Sequence, residues 1–314
     1  MNPLQLRLPQ RFPLSGLPEQ VTVYEVGARD GLQNESAALP TPVKAEFLDR
    51  LTATGLSVIE ATSFVHPRLV PQLADAEALL ASHHPKADVR YPVLVPNLRG
   101  YDRASSCGVR EIAVFASATE TFAQKNLNTT VEGALTDIAA VMDRAKADGL
   151  WIRGYVSMCF GDPWEGPVAL DQVVAVVARL HELDCAEISL GDTIGTATPG
   201  HVHALLDALS TAGIGPDRLA VHFHDTYGQA LSNTLAALQA GITTVDASAG
   251  GLGGCPFAES ATGNLATEDL VWQLSGLGIE TGVDLPSLVE TSRWIARHLG
   301  RPAASRAVQA LTKG

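Results

Sequence analysis

From Val21 onward, eight short apolar runs rich in β-branched residues alternate with longer amphipathic runs. This alternation is typical of repeated strand–helix units, in which helices connect parallel strands. Eight units are the number that closes a barrel. The predicted strands are TVYEV (22–26), SVIEATS (57–63), YPVLV (91–95), EIAVFA (111–116), WIRGYVS (151–157), AEISLG (186–191), LAVHFH (219–224) and TTVDAS (243–248). We therefore predict the α/β class and a (β/α)8 TIM barrel with C-terminal helices packed on the barrel.

The length of 314 residues fits one such barrel with additional helices. No low-complexity linker or shift in composition divides the chain. We expect an N-terminal arm over residues 1–20 and a single catalytic barrel domain over residues 21–314, including terminal helices after about residue 280. Two Thr-Pro pairs, Thr41-Pro42 and Thr198-Pro199, predict helix starts with the threonine as the N-cap residue.

The charge balance argues against polyanionic partners. Thirty-four acidic and 22 basic side chains give a net charge of −12, which disfavours attraction to nucleic acid or to an anionic membrane. No stretch approaches the roughly 20 apolar residues that span a bilayer. We expect a small-molecule substrate, no nucleic acid and no membrane.

The cysteines and the N-terminal segment indicate the cellular compartment in which the protein is expected. The four cysteines are far apart and lack CxxC spacing, which argues against a zinc site and a disulfide scaffold: Cys107, Cys159, Cys185 and Cys255. Pro3, Pro9 and Pro13 would break the amphipathic helix of a transit peptide. We expect a cytoplasmic protein.

Polar residues follow several of the predicted strands, where active sites of this barrel class are built. The first strand leads into GARDGLQNE, residues 27–35, and the seventh ends in HFHD, residues 222–225. The other candidates on this edge are Glu60, Ser63, Ser189 and Asp192. We expect these polar groups to converge on one rim of the barrel.

His222 and His224 are the strongest candidates for metal ligands. Side chains two residues apart on a strand point to the same side and can reach one ion. His201 and His203 have the same spacing but follow a helix-start signal, and residues two apart on a helix point about 200° apart. We predict that this second pair binds nothing. Asp30 and an amide oxygen would complete an oxygen-rich set suited to magnesium or manganese. The alternative is that two buried imidazoles only satisfy polar groups.

A glycine-rich segment, GGLGGCPFAESATGN (250–264), follows the eighth strand. Its glycines permit a mobile loop, and Cys255 stands where its thiol could reach a substrate at the barrel mouth. Asn264 follows the loop and offers a side-chain oxygen to a metal. We interpret Cys107, Cys159 and Cys185 as packing residues.

Taken together, these motifs resemble the hydroxymethylglutaryl-CoA lyase family, within a larger group of metal-dependent barrel lyases and Claisen-type synthases. The resemblance covers about residues 21–277. It is carried by the blocks VGARDGLQNE, IEATSFVHP, YPVLVPN, RGYVS, EISLGDTIG, HFHDTYGQALSNTLAALQAG and GLGGCPFAESATGNLATEDL. HFHDTYG is similar across the larger group, whereas RDGLQNE and GLGGCP narrow the resemblance to the lyases.

The resemblance implies cleavage of 3-hydroxy-3-methylglutaryl-CoA to acetyl-CoA and acetoacetate, in leucine degradation and ketone-body formation, with a divalent cation, Mg²⁺ or Mn²⁺. It implies that Arg29 faces the thioester carbonyl and that Cys255 acts from the loop. Which of His222, Asp192 and Cys255 takes or gives each proton stays open. The implied metal ligands are Asp30, His222, His224 and Asn264. The predicted catalytic residues are Arg29, Glu60, Asp192, His222 and Cys255. The predicted substrate-binding residues are Arg29, Gln33, Ser63, Ser189 and Glu268.

The sequence leaves alternative functions open, and it departs from the family pattern at two positions. The same mechanism could act on a longer or branched 3-hydroxyglutaryl-CoA analogue. Two further hypotheses are a synthase that condenses a 2-oxo acid and a non-catalytic barrel that binds metal or CoA. Ser260 stands where the family pattern suggests glycine, and Thr312 where animal enzymes carry a regulatory cysteine. The resemblance implies a homodimer or higher homo-oligomer. Bases available for the CoA phosphates are Lys44, Lys86, Arg99 and Lys125, and Lys125 with Asn126 are the first to test.

Overall fold

The computed structural model of the chain describes residues 8–36, 38–253 and 263–312. Its strands lie where the apolar runs predict them, with ends shifted by one or two residues. They are β1 (Thr22–Glu25), β2 (Val58–Ile59), β3 (Thr62–Ser63), β4 (Val93–Leu94), β5 (Glu111–Ser117), β6 (Trp151–Ser157), β7 (Glu187–Asp192), β8 (Leu219–Phe223) and β9 (Thr244–Ala247). All paired strands are parallel.

The nine strands fill eight positions in the sheet, whose order is β2-β1-β9-β8-β7-β6-β5-β4-β3. β2 and β3 belong to one predicted run, and hydrogen bonds continue across the two residues between them. Glu60 N donates to Glu25 O at 2.8 Å on one edge, and Ala61 N donates to Pro92 O at 2.9 Å on the other. The first and last strands in the order are therefore parts of one strand, which closes the sheet and confirms the predicted barrel.

Helices surround the strands and bury their apolar faces against them. They are α1 (Thr41–Ala53), α2 (Ala76–Ser82), α3 (Leu98–Ser106), α4 (Glu120–Leu127), α5 (Val131–Ala147), α6 (Leu170–Glu182), α7 (Pro199–Thr211), α8 (Ala230–Gln239), α9 (Thr267–Gly276), α10 (Leu285–Leu299) and α11 (Arg306–Thr312). The last two confirm the predicted terminal helices. Among the described residues, none of the helices is both long and apolar enough to span a membrane.

The two Thr-Pro helix starts differ from the prediction in detail. Thr41 is the first residue of α1 rather than its cap, because Pro40 occupies the N-cap position. The Thr41 hydroxyl instead donates to Asp75 Oδ2 at 2.5 Å, which ties α1 to the start of α2. Thr198 does occupy the N-cap position of α7, but its side chain makes no capping hydrogen bond.

A buried charge cluster fills the barrel interior beneath the rim formed by the carboxyl ends of the strands. Arg153 of β6 is fully buried, and its guanidinium donates two hydrogen bonds to Asp246 of β9, at 2.6 and 3.0 Å. Its Nε donates to Glu187 Oε1 at 2.7 Å, and its Cζ lies 3.8 Å from the centroid of the Tyr24 ring. Because its donors and positive charge are matched, the cation is tolerated in the core.

Replacing Arg153 by methionine is expected to lower the free energy of unfolding by about 3–5 kcal/mol, because Asp246 is left buried without its cation. Urea unfolding of the two proteins measures this. The control is Arg179→Met, since Arg179 pairs with Glu182 on an exposed helix face and should cost about 1 kcal/mol or less. Equal effects of the two substitutions would contradict the assignment.

Candidate active site

The segment after β1 places Arg29 and Asp30 at the rim. Residues Gly27–Gly31 form one π-helical turn, in which Gly31 N donates to Val26 O at 3.1 Å. A side chain at Gly27 would meet the Glu25 carboxylate, because a Cβ there would lie 2.5 Å from Glu25 Oε1. The short sequence GARDG therefore folds into a tight turn that directs two charged side chains toward the barrel mouth.

Asp30, His222 and His224 converge at this rim. Their potential ligand atoms all lie within 4.8 Å of one another, and no other group of three or more acidic, histidine or cysteine side chains in the described parts of the chain does so. The two imidazole centroids are 5.3 Å apart, on the same side of the strand, as the spacing predicts. We refer to these three residues as the acid–histidine cluster. It can hold a divalent cation.

Asn264 completes the cluster. Its Nδ2 donates to Asp30 Oδ2 at 2.8 Å and to Leu252 O at 3.1 Å, and its backbone bridges to that of His224. Asn264 Oδ1 and His224 Nδ1 are buried and have no hydrogen-bond partner among the described residues. Buried atoms with free lone pairs are costly unless something binds them. The residues present therefore fit a divalent metal ion.

The protonation states also suit a cation. Burial alone would raise the pKa of Asp30, but Arg29, His222 and the Asn264 amide together lower it to about 2. Burial and, to a smaller extent, the neighbouring His222 lower the pKa of His224 to about 3, so its imidazole is neutral at pH 7. Asp30 is a carboxylate at the same pH.

Asp246 supports His222 from below. Asp246 Oδ2 lies 3.2 Å from His222 Nδ1, so the other ring nitrogen, Nε2, is the one available to a metal. A carboxylate on the outer nitrogen of a ligating histidine fixes the orientation of the ring. Burial opposes protonation of His222, but Asp246 outweighs it and raises the pKa of His222.

Arg29 lies at the centre of a second buried group. Its Nε donates to Glu60 Oε2 at 2.6 Å, its Nη1 donates to Asp30 Oδ1 at 2.7 Å, and its Cζ lies 5.3 Å from the centroid of the Tyr155 ring. Burial raises the pKa of Glu60 despite the adjacent guanidinium. Arg29 is therefore fixed by contacts on several sides before any substrate arrives, which favours electrostatic stabilisation of a developing negative charge.

Asp192, Ser63 and Gln33 also lie at the rim. Asp192 ends β7, and its carboxylate accepts hydrogen bonds from the backbone of Thr196 and Ala197. Burial nevertheless raises the pKa of Asp192 to about 6, which suits a proton-transferring group. Ser63 ends β3 and is buried, and Gln33 Oε1 is a buried acceptor with no partner in the described part of the chain.

Ser189 and Glu268 make hydrogen bonds within the protein. The Ser189 hydroxyl donates to Asp246 Oδ2 at 3.0 Å, beneath His222. The Glu268 carboxylate accepts from Gly250 N at 2.9 Å and from the Ser292 hydroxyl, behind the glycine-rich segment. Both side chains are engaged by the protein itself, because each satisfies a buried polar group. They support the site from behind.

Glu268 gives the stability of the protein a pH dependence. Burial raises its pKa to about 8, although the Ser292 hydroxyl opposes the shift. In the unfolded chain the group titrates near about 4.3, so between these values the folded state holds an extra proton and stability falls as pH rises. Urea unfolding from about pH 5 to pH 8 should show this decline. Glu268→Gln should flatten it, and an unchanged slope in the variant would contradict the assignment.

Cys255 and the rest of residues 254–262, including Ser260, lie outside the described residues. The other three cysteines are free thiols, with Cys159 and Cys185 buried and Cys107 half-buried. Burial raises the pKa of the Cys159 thiol well above its usual range and that of Cys185 to about 12. Neither of these buried thiols is a nucleophile at neutral pH.

The second histidine pair lies on helix α7, as predicted. His201 packs edge-on against Phe160, with ring centroids 5.1 Å apart. Burial lowers its pKa. The helix separates the two imidazoles that a strand would have placed together.

Of the four bases suggested for the CoA phosphates, Lys44 is a wrong assignment. It is buried, and its Nζ donates to Gln72 O at 2.7 Å and to Asp75. The others are exposed: Lys86, Arg99 and Lys125. Lys125 Nζ lies 4.9 Å from the Trp164 ring centroid, near exposed Asn126.

Several residues that shape the site were not singled out from the sequence, namely Glu25, Arg153, Tyr155 and Asp246. A signal was present, because charged residues interrupt the otherwise apolar runs TVYEV, WIRGYVS and TTVDAS. A charge inside a strand of a closed barrel must find a partner across the interior. Which partner it finds depends on the register between strands.

A family model described as HMGL-like matches residues 20–295. The chain belongs to the HMGL-like family. It is 51% identical, over 95% of its length, to the mitochondrial hydroxymethylglutaryl-CoA lyase of Arabidopsis thaliana, of which it spans 64%. It is 49% identical, over 96% of its length, to the cytoplasmic 3-hydroxy-3-methylglutaryl-CoA lyase of Rattus norvegicus, of which it spans 87%.

Solved structures of HMGL-like proteins superpose closely. The hydroxymethylglutaryl-CoA lyase of Pseudomonas aeruginosa gives a TM-score of 0.92 at 44% identity, covering 94% of this chain and 98% of that one. An HMG-CoA lyase of Acinetobacter baumannii, in complex with coenzyme A and 3-methylmalate, gives 0.89 at 35% identity, covering 95% and 97%. The barrel fold is thus shared with these lyases.

Proposed function

We propose that the chain cleaves 3-hydroxy-3-methylglutaryl-CoA to acetyl-CoA and acetoacetate. The observation that carries the proposal is the acid–histidine cluster beside a fixed Arg29, in a chain about half identical to lyases of that name. The reaction breaks one carbon–carbon bond, removes the proton of the tertiary hydroxyl and returns a proton to the enolate carbon. The acetoacetate product is consistent with leucine degradation and ketone-body formation.

Asp30, His222, His224 and Asn264 would hold the divalent cation, and the mixed oxygen and nitrogen donors suit Mg²⁺ or Mn²⁺. When bound, such an ion lowers the pKa of a coordinated hydroxyl and orients it. Arg29 stabilises the negative charge that grows on the thioester oxygen. Asp192, His222 and Cys255 are the proton-transferring groups.

Substrate contacts are proposed for Gln33 and Ser63, which lie at the rim with the cluster. Ser189 and Glu268 act through Asp246 and Gly250, the groups that their side chains contact. For the phosphates of CoA, Arg99 is a candidate because it lines a cavity of about 490 Å³ together with Arg68 and Arg103. Lys125 and Asn126 remain candidates on α4.

The remaining expectations stand as proposals. We propose a single barrel domain over residues 21–314 with an N-terminal arm, supported by the arm residue Phe12, whose N donates to Gly276 O at 2.8 Å. We propose a cytoplasmic location, as in the names of the rat and zebrafish relatives, although other relatives are named mitochondrial. A homodimer or higher homo-oligomer stays a prediction, which light scattering of the purified protein would test.

The experiment is acetyl-CoA release by purified protein from 3-hydroxy-3-methylglutaryl-CoA, with Mg²⁺ or Mn²⁺ and again with EDTA. A longer-chain 3-hydroxyglutaryl-CoA analogue is assayed in parallel. Fast cleavage of the methyl substrate that EDTA stops supports the proposal. Cleavage of the analogue alone would keep the proposed mechanism but make the analogue the substrate. No cleavage of either compound would overturn the proposed reaction.

A further inference from the structure

The Glu25 carboxylate lies fully buried at the end of β1 and is not among the groups that the proposed reaction uses. Three donors from different segments bond to it. Oε1 accepts from Gly27 N at 2.7 Å and from Ala249 N at 2.8 Å, and Oε2 accepts from the Thr267 hydroxyl at 2.6 Å. One side chain therefore connects parts of the chain that are more than 200 residues apart in sequence.

The first of these segments carries Asp30. Gly27 begins the π-helical turn that ends at Gly31, so the bond from its amide fixes the start of the turn that presents Asp30. The contact is close, because a Cβ at Gly27 would lie 2.5 Å from Glu25 Oε1. The turn therefore rests directly on the carboxylate.

The other two segments control Asn264. Ala249 begins the short 3-10 turn before Leu252, whose carbonyl oxygen accepts from Asn264 Nδ2 at 3.1 Å. Thr267 starts helix α9 three residues after Asn264, and its amide donates to Ser248 O at 3.1 Å. Holding Ala249 and Thr267 therefore fixes both the carbonyl that orients the Asn264 amide and the backbone that carries it.

We propose that Glu25 is a positioning residue for the metal site, holding Asp30 and Asn264 at the distances that a divalent cation requires. The inference rests on the proposed metal site. Glu25 contacts no ligand atom itself. It sets the separation between the turn that carries Asp30 and the backbone that carries Asn264, because Gly27, Ala249 and Thr267 all bond to the same carboxylate. Supporting groups of this kind typically change metal affinity by about 10–100-fold.

The test is Mn²⁺ binding to the metal-free protein without substrate, measured from the free Mn²⁺ signal in electron paramagnetic resonance. Glu25→Ala removes all three acceptor contacts and should weaken Mn²⁺ binding by about 10–100-fold. Glu25→Gln should bind close to wild type, since its oxygen still accepts from the two amides and its NH₂ donates to the Thr267 hydroxyl. Thr267→Val removes one contact and should give a smaller loss in the same direction.

A matched control distinguishes the proposed positioning role of Glu25 from a general contribution to stability. Thr52 is buried, donates to Leu48 O and lies 2.9 Å from the Tyr91 hydroxyl, away from the ligand segments. Thr52→Ala should lower the melting temperature of the metal-free protein and leave the Mn²⁺ dissociation constant unchanged. If Glu25→Ala lowers the melting temperature but binds Mn²⁺ as wild type does, the proposal is wrong.

Two further outcomes are decisive. If Glu25→Ala does not fold, Thr267→Val decides the question, and wild-type Mn²⁺ affinity in that variant overturns the proposal. His222→Ala reports on the metal site itself. Wild-type Mn²⁺ binding by His222→Ala would overturn the proposed metal site, whereas lost binding there with normal binding in Glu25→Ala would overturn only the positioning role.

Discussion

His222→Ala is expected to reduce metal-dependent cleavage of 3-hydroxy-3-methylglutaryl-CoA by about 10³-fold or more, equivalent to about 4 kcal/mol of transition-state stabilisation. The substitution removes one member of the acid–histidine cluster and leaves Asp246 without its histidine partner. Steady-state turnover at saturating Mg²⁺ measures the loss. Because the substitution also removes one of the proposed proton-transferring groups, excess metal should recover little of the activity.

His201→Ala is the matched control for this prediction. His201 and His203 have the same spacing as His222 and His224, but they lie on α7, where His201 packs against Phe160. Turnover of His201→Ala should stay near the wild-type value after correction for the fraction folded. Equal losses in the two variants would contradict the argument that a strand, and not a helix, brings a histidine pair to one ion.

Arg29→Gln is expected to lower kcat by about 10²–10³-fold with a much smaller change in KM. In the proposed mechanism Arg29 acts on the charge that develops as the carbon–carbon bond breaks, so its loss is expected to affect the transition state rather than ground-state binding. Glu60 and Asp30 also lose the cation that holds them in place. Measurement of kcat and KM across a full substrate range separates the two effects.

Arg90→Gln provides a control with comparable local chemistry. Arg90 Nε donates to the Glu111 carboxylate at 2.8 Å, and its Cζ lies 4.1 Å from the centroid of the Trp151 ring. Glu111 and Trp151 begin β5 and β6, at the end of the barrel opposite the rim. Its loss should leave kcat close to wild type. A rise in KM with unchanged kcat in Arg29→Gln would show that Arg29 only binds the substrate, and would contradict its assignment to the developing oxyanion.

Much of the fold could be predicted from the sequence because its signals are local. A strand or a helix has its own hydrophobic period, so the runs at 111–116 and 151–157 indicate strands without reference to the rest of the chain. The same reasoning separates His222 and His224 on a strand from the pair on α7. Lys44 shows where the reasoning fails, because a lysine in a helical pattern carries no sign that it will be buried and paired with Asp75.

The sequence pointed to Asp30, His222 and His224, which the structure brings together, but not to the contacts that hold them in place. The motifs pointed to Asp30 and Asn264, yet nothing local indicates that the Asn264 amide donates to Asp30 and leaves its oxygen free. Ser189 and Glu268 were predicted as substrate-binding residues, and nothing in the sequence indicated that their side chains bond to Asp246 and to the amide of Gly250. The direction in which a polar side chain points, and the partner it bonds to, depend on which distant segments of the chain pack against it.

By itself, the sequence determined the barrel, its eight strand positions and the residue types at its rim, because these follow from periodicity and from the ends of strands. Only the tertiary structure decided that Glu25 bonds to Ala249, that Asp246 supports His222 and that Arg153 is matched in the interior. Such contacts join residues that are distant in the chain. They are set by the register of neighbouring strands and by the requirement that every buried charge and donor be satisfied.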